Sequence, residues 1–458
     1  MVYFKQLVKE DLGCASYIVG CTGAGTCAVV DPRLDMVDEI LALTSAKGLR
    51  VNAIIETHNH ADHISGHGDL AERTGAPIYV HEQAGVAFAH REVKDGDELT
   101  FGVVKVRVIH TPGHRPEHIA LAVSDTSRGE DPWLVLTGDS LFIGDVARPD
   151  LAVPGEEGAG ALYESIFDRL LPLGDGVEIY PAHVAGSLCG RGMNAKTSST
   201  IGFERRHNAA IESRTRAEFV RDLNEHLPQR PPNVSSIVQR NRSDYTGRIP
   251  ALPPCALNPA AFQQEMQAGA LIIDTRAPNS FSAGHIPGAL HAYLRGSAFA
   301  TRVGFIAPST SRLLLVVENA DDLREVCTQL SVVGYDHVSG YLADGMAAWC
   351  AADLPVQQLA QLNVQQLHAQ FAQLNVLDVR DESEWEAGHI KGAVHLPLYA
   401  IEQHFRELDP AQPIAVICGS GERSAVAAAI LQHHAFPQII NVIGGMEAWE
   451  EAGLPEAQ

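Results

Sequence analysis

Residues 57–63, Thr-His-Asn-His-Ala-Asp-His, decide the fold of the first half of the chain. Four of these side chains can bind a metal ion: His58, His60, Asp62 and His63. The run directly follows residues 51–55, Val-Asn-Ala-Ile-Ile, which predict a buried strand. In an extended segment His58 and His60 would point the same way, because side chains alternate along a strand. Packing does not explain this density of ligands at a strand end, so the run predicts a metal centre.

Further ligands follow later strand-like segments in the same way. His114 comes after residues 103–109 through a Pro-Gly turn, Asp139 comes after residues 133–137, and His183 follows Tyr-Pro-Ala. Strand ends that deliver polar side chains are typical of the chemical edge of layered α/β folds. We therefore expect all these ligands to meet at one edge.

Size and composition narrow the class of protein. The length of 458 residues predicts about three domains. A net charge of −22 argues against nucleic acid or an anionic membrane as the main partner. The sequence has no apolar run of roughly 20 residues and no secretory segment, so we expect a cytoplasmic protein. Its eight cysteines are sparse and irregularly spaced, which does not indicate a disulfide framework.

The second half of the chain contains an internal repeat. Residues 228–254, rich in proline from Pro228 onward, precede it and are predicted to contain the end of the first domain and a linker. The motif Phe-Ser-Ala-Gly-His-Ile-Pro-Gly-Ala at 281–289 returns as Trp-Glu-Ala-Gly-His-Ile-Lys-Gly-Ala at 385–393. The two copies, 255–356 and 357–458, are each long enough to form a small α/β domain.

Only the second copy carries a cysteine at the end of its predicted central strand. Residues 413–417 lead into Cys418 and a glycine-rich loop, and a helix is predicted from about 424. Backbone N–H groups at such a helix start stabilise a thiolate or persulfide. In the first copy Glu318 stands at the equivalent position, so we predict that this copy is catalytically inactive.

The histidine–aspartate run with its later ligands resembles the metallo-β-lactamase superfamily over residues 1–245. This resemblance implies an αββα sandwich in the N-terminal domain. The Cys418 loop, residues 378–380 and the Gly-His-Ile turn resemble the rhodanese family, which implies two α/β rhodanese-like domains. The expected fold class is therefore α/β throughout.

Three segments, 144–151, 181–190 and 199–208, resemble the persulfide dioxygenase (sulfur dioxygenase) branch, especially its bacterial fusions with rhodanese domains. The resemblance implies one Fe(II) ion held by His58, His114 and Asp139, a facial triad with open positions. His60, Asp62, His63 and His183 would then form a supporting shell or a second metal site.

Several other residues are predicted to handle substrate. Arg148 is a candidate to bind a substrate carboxylate, and Cys189 matches a cysteine of the fusion family that receives or positions sulfur. In the rhodanese loop Cys418 would carry sulfane sulfur, with Arg423 adding positive charge. The rest of that loop would contact the substrate: Gly419, Ser420, Gly421 and Glu422.

The favoured hypothesis is a bifunctional sulfur-oxidation enzyme. It would oxidise a glutathione or coenzyme A persulfide with O2 to sulfite, and Cys418 would form or use thiosulfate. The family resemblance also implies a homo-oligomer. One alternative is a thioester hydrolase of the glyoxalase II kind with two zinc or iron ions. A third hypothesis is a sulfide-responsive carrier that uses Cys418 as a sensor.

Overall fold

The computed structural model describes the chain except residues 186, 188, 191, 213, 214, 226, 228, 229, 297 and 458. It divides into two compact units, Met1–Ile249 with Ser331–Gly334 and Pro250–Leu330 with Tyr335–Gln458. No helix in the described part of the chain is long and apolar enough to cross a membrane.

The described strands of the first unit form two sheets of six. The first sheet has the order β1 (Val2–Lys9), β2 (Cys14–Cys21), β3 (Thr26–Val30), β4 (Arg50–Ile55), β5 (Ile78–His81) and β6 (Arg91–Val93). The second runs, from its opposite edge, β7 (Glu98–Phe101), β8 (Val104–His110), β9 (Ile119–Asp125), β10 (Leu134–Gly138), β11 (Glu178–Pro181) and β12 (Ser199–Thr200).

Helices cover the outer faces of both sheets. They are α1 (Val37–Ala46), α2 (His67–Thr74), α3 (Gly155–Glu164, continued by a π-helical turn at Ser165–Leu170), α4 (Ile201–His207), α5 (Arg216–Asn224) and α6 (Val234–Arg242). Apolar side chains of the two sheets, such as Val30, Ile55, Val106 and Leu136, share one buried cluster. Separate clusters join the first sheet to α1 and the second sheet to α3 and α5. The predicted αββα sandwich is confirmed.

The second unit contains two parallel sheets of the same topology, one for each copy of the sequence repeat. The first copy has the order β13 (Ala256–Leu257), β17 (Val338–Leu342), β16 (Leu313–Val316), β14 (Leu271–Asp274) and β15 (Leu290–His291). The second has β18 (Ala360–Leu362), β22 (Ile439–Val442), β21 (Ile414–Ile417), β19 (Asn375–Asp378) and β20 (Val394–His395). The equivalent order of strands confirms two α/β domains of one kind.

The helices of this unit connect the parallel strands. Those of the first copy are α7 (Pro259–Gln267), α8 (Pro278–Ala283), α9 (Phe299–Ile306), α10 (Leu323–Val332) and α11 (Gly345–Ala351). Those of the second are α12 (Val364–Gln370), α13 (Glu382–Ala387), α14 (Ile401–His404), α15 (Glu422–His433) and α16 (Gly445–Glu451). Crossover helices of this kind are what parallel strands require.

Helix α6 lies in the segment that the sequence predicts to contain the end of the first domain and a linker. Its side chains Ile237 and Asn241 are buried, and it belongs to the first unit. The prolines that favoured a linker flank the helix, and Pro228 lies outside the described residues. Tertiary contacts stabilise such a short helix more than its own propensity does, which is why composition alone did not reveal it.

Candidate metal centre and sulfur-transfer loop

The strand ends of both sheets in the first unit deliver buried polar side chains. Strand β4 leads into His58, β8 leads towards His114, β10 ends just before Asp139, and β11 ends just before His183. Each of these four side chains is at most 3 % exposed. The strand ends therefore place these polar side chains in one region, as the sequence predicts.

Three ligand atoms converge in this region. Nε2 of His114 lies 3.4 Å and Nε2 of His58 lies 3.8 Å from Oδ2 of Asp139. All three atoms are buried and have no hydrogen-bond partner in the described residues. Unpaired buried polar atoms cost free energy, whereas a bound cation would satisfy all of them at once. The donor set therefore fits a metal ion.

The outer nitrogens of both imidazoles are already occupied. Nδ1 of His114 donates to the carbonyl oxygen of Arg148 at 2.9 Å. Nδ1 of His58 lies 3.0 Å from the hydroxyl of Thr57, which itself donates to Asp31. A proton on each Nδ1 leaves the Nε2 lone pair free to face the centre.

The protonation states also suit metal binding. Burial and the imidazoles of His60 and His114 hold the pKa of His58 well below its usual range. Burial lowers the pKa of His114, although Asp139 acts in the opposite direction. Burial would raise the pKa of Asp139, but His183 and His114 lower it below its usual range. Neutral imidazoles beside an ionised carboxylate are the forms that coordinate metals.

A second group of potential ligands is paired among its members except at Nε2 of His63, which has no hydrogen-bond partner in the described residues. Nδ1 of His183 lies 2.7 Å from Oδ1 of Asp139, and its Nε2 lies 2.8 Å from Oδ2 of Asp62. Asp62 also lies 3.1 Å from Nδ1 of His63, and the thiol of Cys14 donates to Asp62 at 3.4 Å. Burial would lower the pKa of His183, but the carboxylates of Asp139 and Asp62 raise it well above its usual range. A cationic His183 therefore joins the two carboxylates.

His60 belongs to a different group of potential ligands, although its ring lies 4.2 Å from that of His58. Its Nε2 lies 3.2 Å from Asp31 and 3.3 Å from Glu56. Burial would raise the pKa of Glu56, but His60 and His67 lower it to about 2. Residues 57–63 are bends and irregular backbone after β4 ends, so the expectation that His58 and His60 point the same way, which assumed an extended segment, stays a prediction.

Two supporting residues were missed by the sequence interpretation. The side-chain amide of Asn241 donates to the carbonyl oxygens of His60 at 2.9 Å and His63 at 2.8 Å. His118, read as an ordinary histidine, accepts the N–H of Asp139 at its Nε2 at 2.8 Å. Burial lowers the pKa of His118 to about 3, which keeps this acceptor neutral. His118 packs so closely on Gly138 that a Cβ at this position would lie 2.4 Å from Nε2 of His118. A glycine directly before Asp139 was the only sequence feature that could have indicated this close approach.

The two predicted substrate residues of this unit are both buried. Arg148 is 4 % exposed, and its guanidinium donates twice to Asp150, at 2.8 and 2.9 Å. Cys189 packs with Phe142 and Ala147, and burial raises its pKa to about 12. Its sulfur lies within 4.8 Å of ligand atoms of Asp139 and His183. Both assignments to substrate stay predictions.

In the second unit, β21 ends directly before Cys418, which is fully buried. The N–H of Gly421 donates to its sulfur at 3.1 Å, and the sulfur lies 3.5 Å from the hydroxyl of Ser424. Gly421 has a φ of +100° just before α15, a conformation that glycine adopts without strain. The loop Gly419-Ser420-Gly421 thus turns the chain from the cysteine into the helix.

Arg423 does not present a free cation to this loop. Its guanidinium donates to both carboxylate oxygens of Glu384, at 2.6 and 2.7 Å, and to Asp381 at 3.5 Å. Burial would lower the pKa of Arg423, but Glu384 raises it above its usual range. The positive charge expected from Arg423 is therefore largely neutralised within the second copy.

In the first copy β16 ends at Val316, which pairs with Asp274 as Ile417 pairs with Asp378, so the buried Val317 stands where Cys418 does. The prediction that Glu318 is the equivalent residue is wrong by one position, because Glu318, which is exposed, follows Val317. Its carboxylate accepts the N–H of Ala277 at 3.3 Å and the hydroxyl of Ser280 at 3.2 Å. Cys327 lies on α10 instead, and burial raises its pKa to about 11. The first copy thus places a buried valine where the second places a thiol, with a carboxylate one residue later, and its inactivity stays a prediction.

Comparison with known protein families agrees with this architecture. A sequence model of the metallo-beta-lactamase superfamily matches residues 10–188. A model of the rhodanese-like domain matches residues 258–352 and 363–452. The first match contains the ligand run at residues 57–63. The two ranges of the second match each lie within one copy of the repeat.

Individual relatives match the first unit. A probable metallo-hydrolase of Burkholderia pseudomallei is 32% identical over 238 residues, which are 45% of this chain and 79% of that protein. A hydroxyacylglutathione hydrolase of Polaromonas is 28% identical, covering 50% of this chain and 86% of that protein. The mitochondrial persulfide dioxygenase of Bos taurus is 27% identical, covering 52% and 87%.

A solved structure described as a metallo-beta-lactamase from Staphylococcus aureus matches a larger part of this chain than these relatives do. It is 27% identical with a TM-score of 0.66, and the match covers 75% of this chain and 98% of that chain.

The sandwich and its buried histidine and aspartate groups define a metal-binding enzyme domain. The chain belongs to the metallo-beta-lactamase superfamily and carries two rhodanese-like domains after the superfamily domain. This confirms the arrangement predicted from the sequence. Rhodanese-like domains joined to a domain similar to a persulfide dioxygenase indicate an enzyme of sulfur metabolism that acts on small sulfur compounds.

Proposed function

We propose that the first unit is a mononuclear Fe(II)- and O2-dependent dioxygenase that oxidises a low-molecular-weight thiol persulfide to sulfite. The observation that carries this proposal is the group of three unpaired ligand atoms on His58, His114 and Asp139. Two imidazoles and one carboxylate are the ligand set of non-haem Fe(II) oxygenases. We assign these three side chains as the iron ligands.

The overall reaction balances when one water molecule reacts besides the persulfide and O2. One persulfide, one O2 and one water give one thiol, one sulfite and two protons, so the sulfane sulfur is oxidised and O2 is reduced. A bound Fe(II) ion would supply the activation of O2. Thr57 and the carbonyl of Arg148 hold the imidazoles in the required tautomer, and His118 orients the backbone of Asp139. The thiol carrier is glutathione or coenzyme A in this proposal.

The pairing of both ring nitrogens of His183 supports one metal ion over two, although Nε2 of His63 and both ring nitrogens of His60 have no hydrogen-bond partner in the described residues. His183 is committed to Asp139 and Asp62, while His60 faces Asp31 and Glu56. A binuclear thioester hydrolase, the alternative to which the hydroxyacylglutathione hydrolase likeness points, needs these groups as ligands of a second ion. We assign His60, Asp62, His63 and His183 to the supporting shell.

We further propose that Cys418 carries sulfane sulfur as a persulfide and exchanges it with sulfite. The lone pair of sulfite forms a new S–S bond while the bond from the Cys418 sulfur breaks, and the electron pair returns to Cys418 as a thiolate. The product is thiosulfate, and no external oxidant is needed. Support comes from the N–H of Gly421 at the sulfur and from the start of α15 beside it.

The test combines metal content with O2 consumption by the full chain. We expect about one iron per chain and O2 uptake that depends on glutathione persulfide, with sulfite as product. The Cys418→Ser variant isolates this activity, because it removes sulfur transfer and leaves the first unit intact. Two metal ions per chain with thioester hydrolysis and no O2 uptake would contradict the proposal and support the alternative.

A further inference from the structure

Helix α15, which begins at the Cys418 loop, is buried on all its sides. Every residue from Ser424 to Leu431 is buried, and most of them are alanine, valine, isoleucine or leucine. A helix that is apolar all round must be covered on every face. One cover is its own sheet, through β21 and β22, and the other includes β15 of the first copy.

The first copy holds this helix at both ends. At its start, Arg302 on α9 donates from Nη1 to Oε2 of Glu422 at 3.0 Å. At its other end, Nδ1 of His433 lies 2.8 Å from the carbonyl oxygen of Gly288. The copy that lacks the cysteine therefore contacts the first residue of the helix that carries the sulfur-transfer loop.

The pair between Arg302 and Glu422 is enclosed. The side chain of Arg302 is 9% exposed and that of Glu422 is 32% exposed. A Cβ at Gly296 would lie 2.9 Å from Nη1 of Arg302 and 3.0 Å from Oε2 of Glu422. Because Gly296 has no Cβ, it leaves the space that the ion pair occupies. An ion pair that is partly shielded from water is stronger than an exposed one.

The charges around the loop give this pair a function. Carboxylates of Glu384 and Glu447 lie 3.7 and 3.8 Å from the position of a Cβ at Gly419, and Arg423 is already bonded to Glu384. Sulfite and thiosulfate are dianions. An unpaired carboxylate of Glu422, adjacent to Gly421 and its bond to the sulfur, would repel them.

We propose that Arg302 is a positioning residue for the Cys418 loop. It neutralises Glu422 and fixes the start of α15, so the first copy completes the site for anionic sulfur substrates. This inference rests on the sulfur transfer proposed for Cys418.

The test uses full-length variants and the formation of thiosulfate from glutathione persulfide and sulfite. In Arg302→Gln we expect the KM for sulfite to rise roughly tenfold while kcat changes less, because a neutralising charge is lost near a dianion. Arg302→Lys should recover part of the loss. The double variant Arg302→Gln with Glu422→Gln should return towards the wild-type KM, because the repelling charge is also gone and the Glu422 carboxylate, expected from the sequence to contact substrate, is bonded to Arg302 instead.

The matched control is Arg295→Gln. Arg295 is an exposed arginine of the same copy that bonds Asp322 and Glu325, so its loss should leave the KM for sulfite unchanged. Gly296→Val should raise the KM as Arg302→Gln does, because it displaces both partners of the pair.

Two results would overturn the inference. One is an unchanged KM in Arg302→Gln while Cys418→Ser is inactive, which leaves the proposed function standing. The other is an equal loss of kcat with every donor and no recovery in the double variant, which would reduce Arg302 to a structural role. Sulfur transfer that persists in Cys418→Ser would instead contradict the proposed function itself.

Discussion

Asp139 gives its two carboxylate oxygens to different partners. Oδ2 faces His58 and His114, while Oδ1 is bonded to His183. In the proposed metal centre, Oδ2 would bind the ion, and the bond of Oδ1 to His183 would fix the orientation of the carboxylate. Because this one side chain makes both contacts, a change at Asp139 should weaken metal binding more than a change at His58, His114 or His183 alone.

The variant Asp139→Asn tests this expectation. It removes the negative charge that balances a cation, so iron affinity should fall by at least about tenfold, and persulfide-dependent O2 uptake should fall with it. Iron per chain after dialysis and O2 electrode rates measure both. Asp168→Asn, at an exposed aspartate, is the control. Full iron content in Asp139→Asn would contradict the assignment of this ligand.

Asn241 holds the ligand run through its backbone. Its loss in Asn241→Ala leaves the carbonyls of His60 and His63 and the N–H of Ser65 without their partner. Each unsatisfied buried group costs about 1–3 kcal/mol, so the midpoint of thermal unfolding should fall and iron should be lost more readily. Asn224→Ala, at an asparagine that bonds its own helix, is the control. An unchanged iron off-rate in Asn241→Ala would contradict this role.

At this scale the sequence predicted the right residue types but not their orientations. The strand ends predicted that His58, His114, Asp139 and His183 would lie close together, whereas the choice of the first three as iron ligands came from the family resemblance and stays a prediction. The contacts of His60 with Asp31 and Glu56 were not predictable, since only the folded sheet brings these residues together. Asn241 was missed because no local pattern connects its amide with the backbone of His60 and His63.

Among the elements, the start of α1 contains a buried charge cluster. Arg33, 1% exposed, bonds Asp35 at 2.7 Å and Asp11 at 2.7 Å. Burial would raise the pKa of Asp35, but Arg33 lowers it below its usual value of 3.8. A depressed folded-state pKa adds stability at pH values above 3.8, and this stability is lost as the pH falls through the folded-state value.

Asp35→Asn should therefore destabilise the first unit most at neutral pH. Breaking a buried pair costs about 3–5 kcal/mol, and the difference from the wild type should shrink as the pH approaches the folded-state pKa. Denaturant unfolding between neutral and acidic pH measures it. The control is Asp38→Asn, whose aspartate on α1 is 81% exposed. A destabilisation that does not depend on pH would contradict the sign of this linkage.

The regular elements themselves were largely predictable. Residues 51–55, 103–109 and 413–417 were expected as strands, and they are β4, β8 and β21 within one residue at each end. Periodic apolar patterns fix such segments because one face must be buried. Helix α6 has a polar surface and proline neighbours, so only its contacts in the folded unit define it.

For the whole molecule, two chemical sites in one chain predict separable defects. Cys418→Ser should abolish thiosulfate formation and leave the rate of O2 uptake within about twofold, whereas Asp139→Asn should do the reverse when sulfite is supplied. Tethering raises the effective concentration of the intermediate sulfite, so an equimolar mixture of the two variants should produce thiosulfate more slowly than the intact chain. An equal rate would mean that sulfite passes entirely through solution.

The relation between the two rhodanese-like copies was the part that the sequence could not give. The repeat predicted two similar folds and, from Glu318, an inactive first copy. The contact between Arg302 and Glu422 joins residues 120 positions apart, and no local pattern indicates it. Only the uniformly apolar composition of residues 425–431 hinted that α15 is covered on every side.

That full enclosure of α15 has a consequence for hydrogen exchange. Amides of a helix without a solvent-facing side exchange only when a large part of the structure opens. We expect the amides of α15 to be among the slowest to take up deuterium in the second unit. The sulfur carried by Cys418 is then attached to one of the last segments to open, so a turnover needs no local unfolding of the helix that presents it.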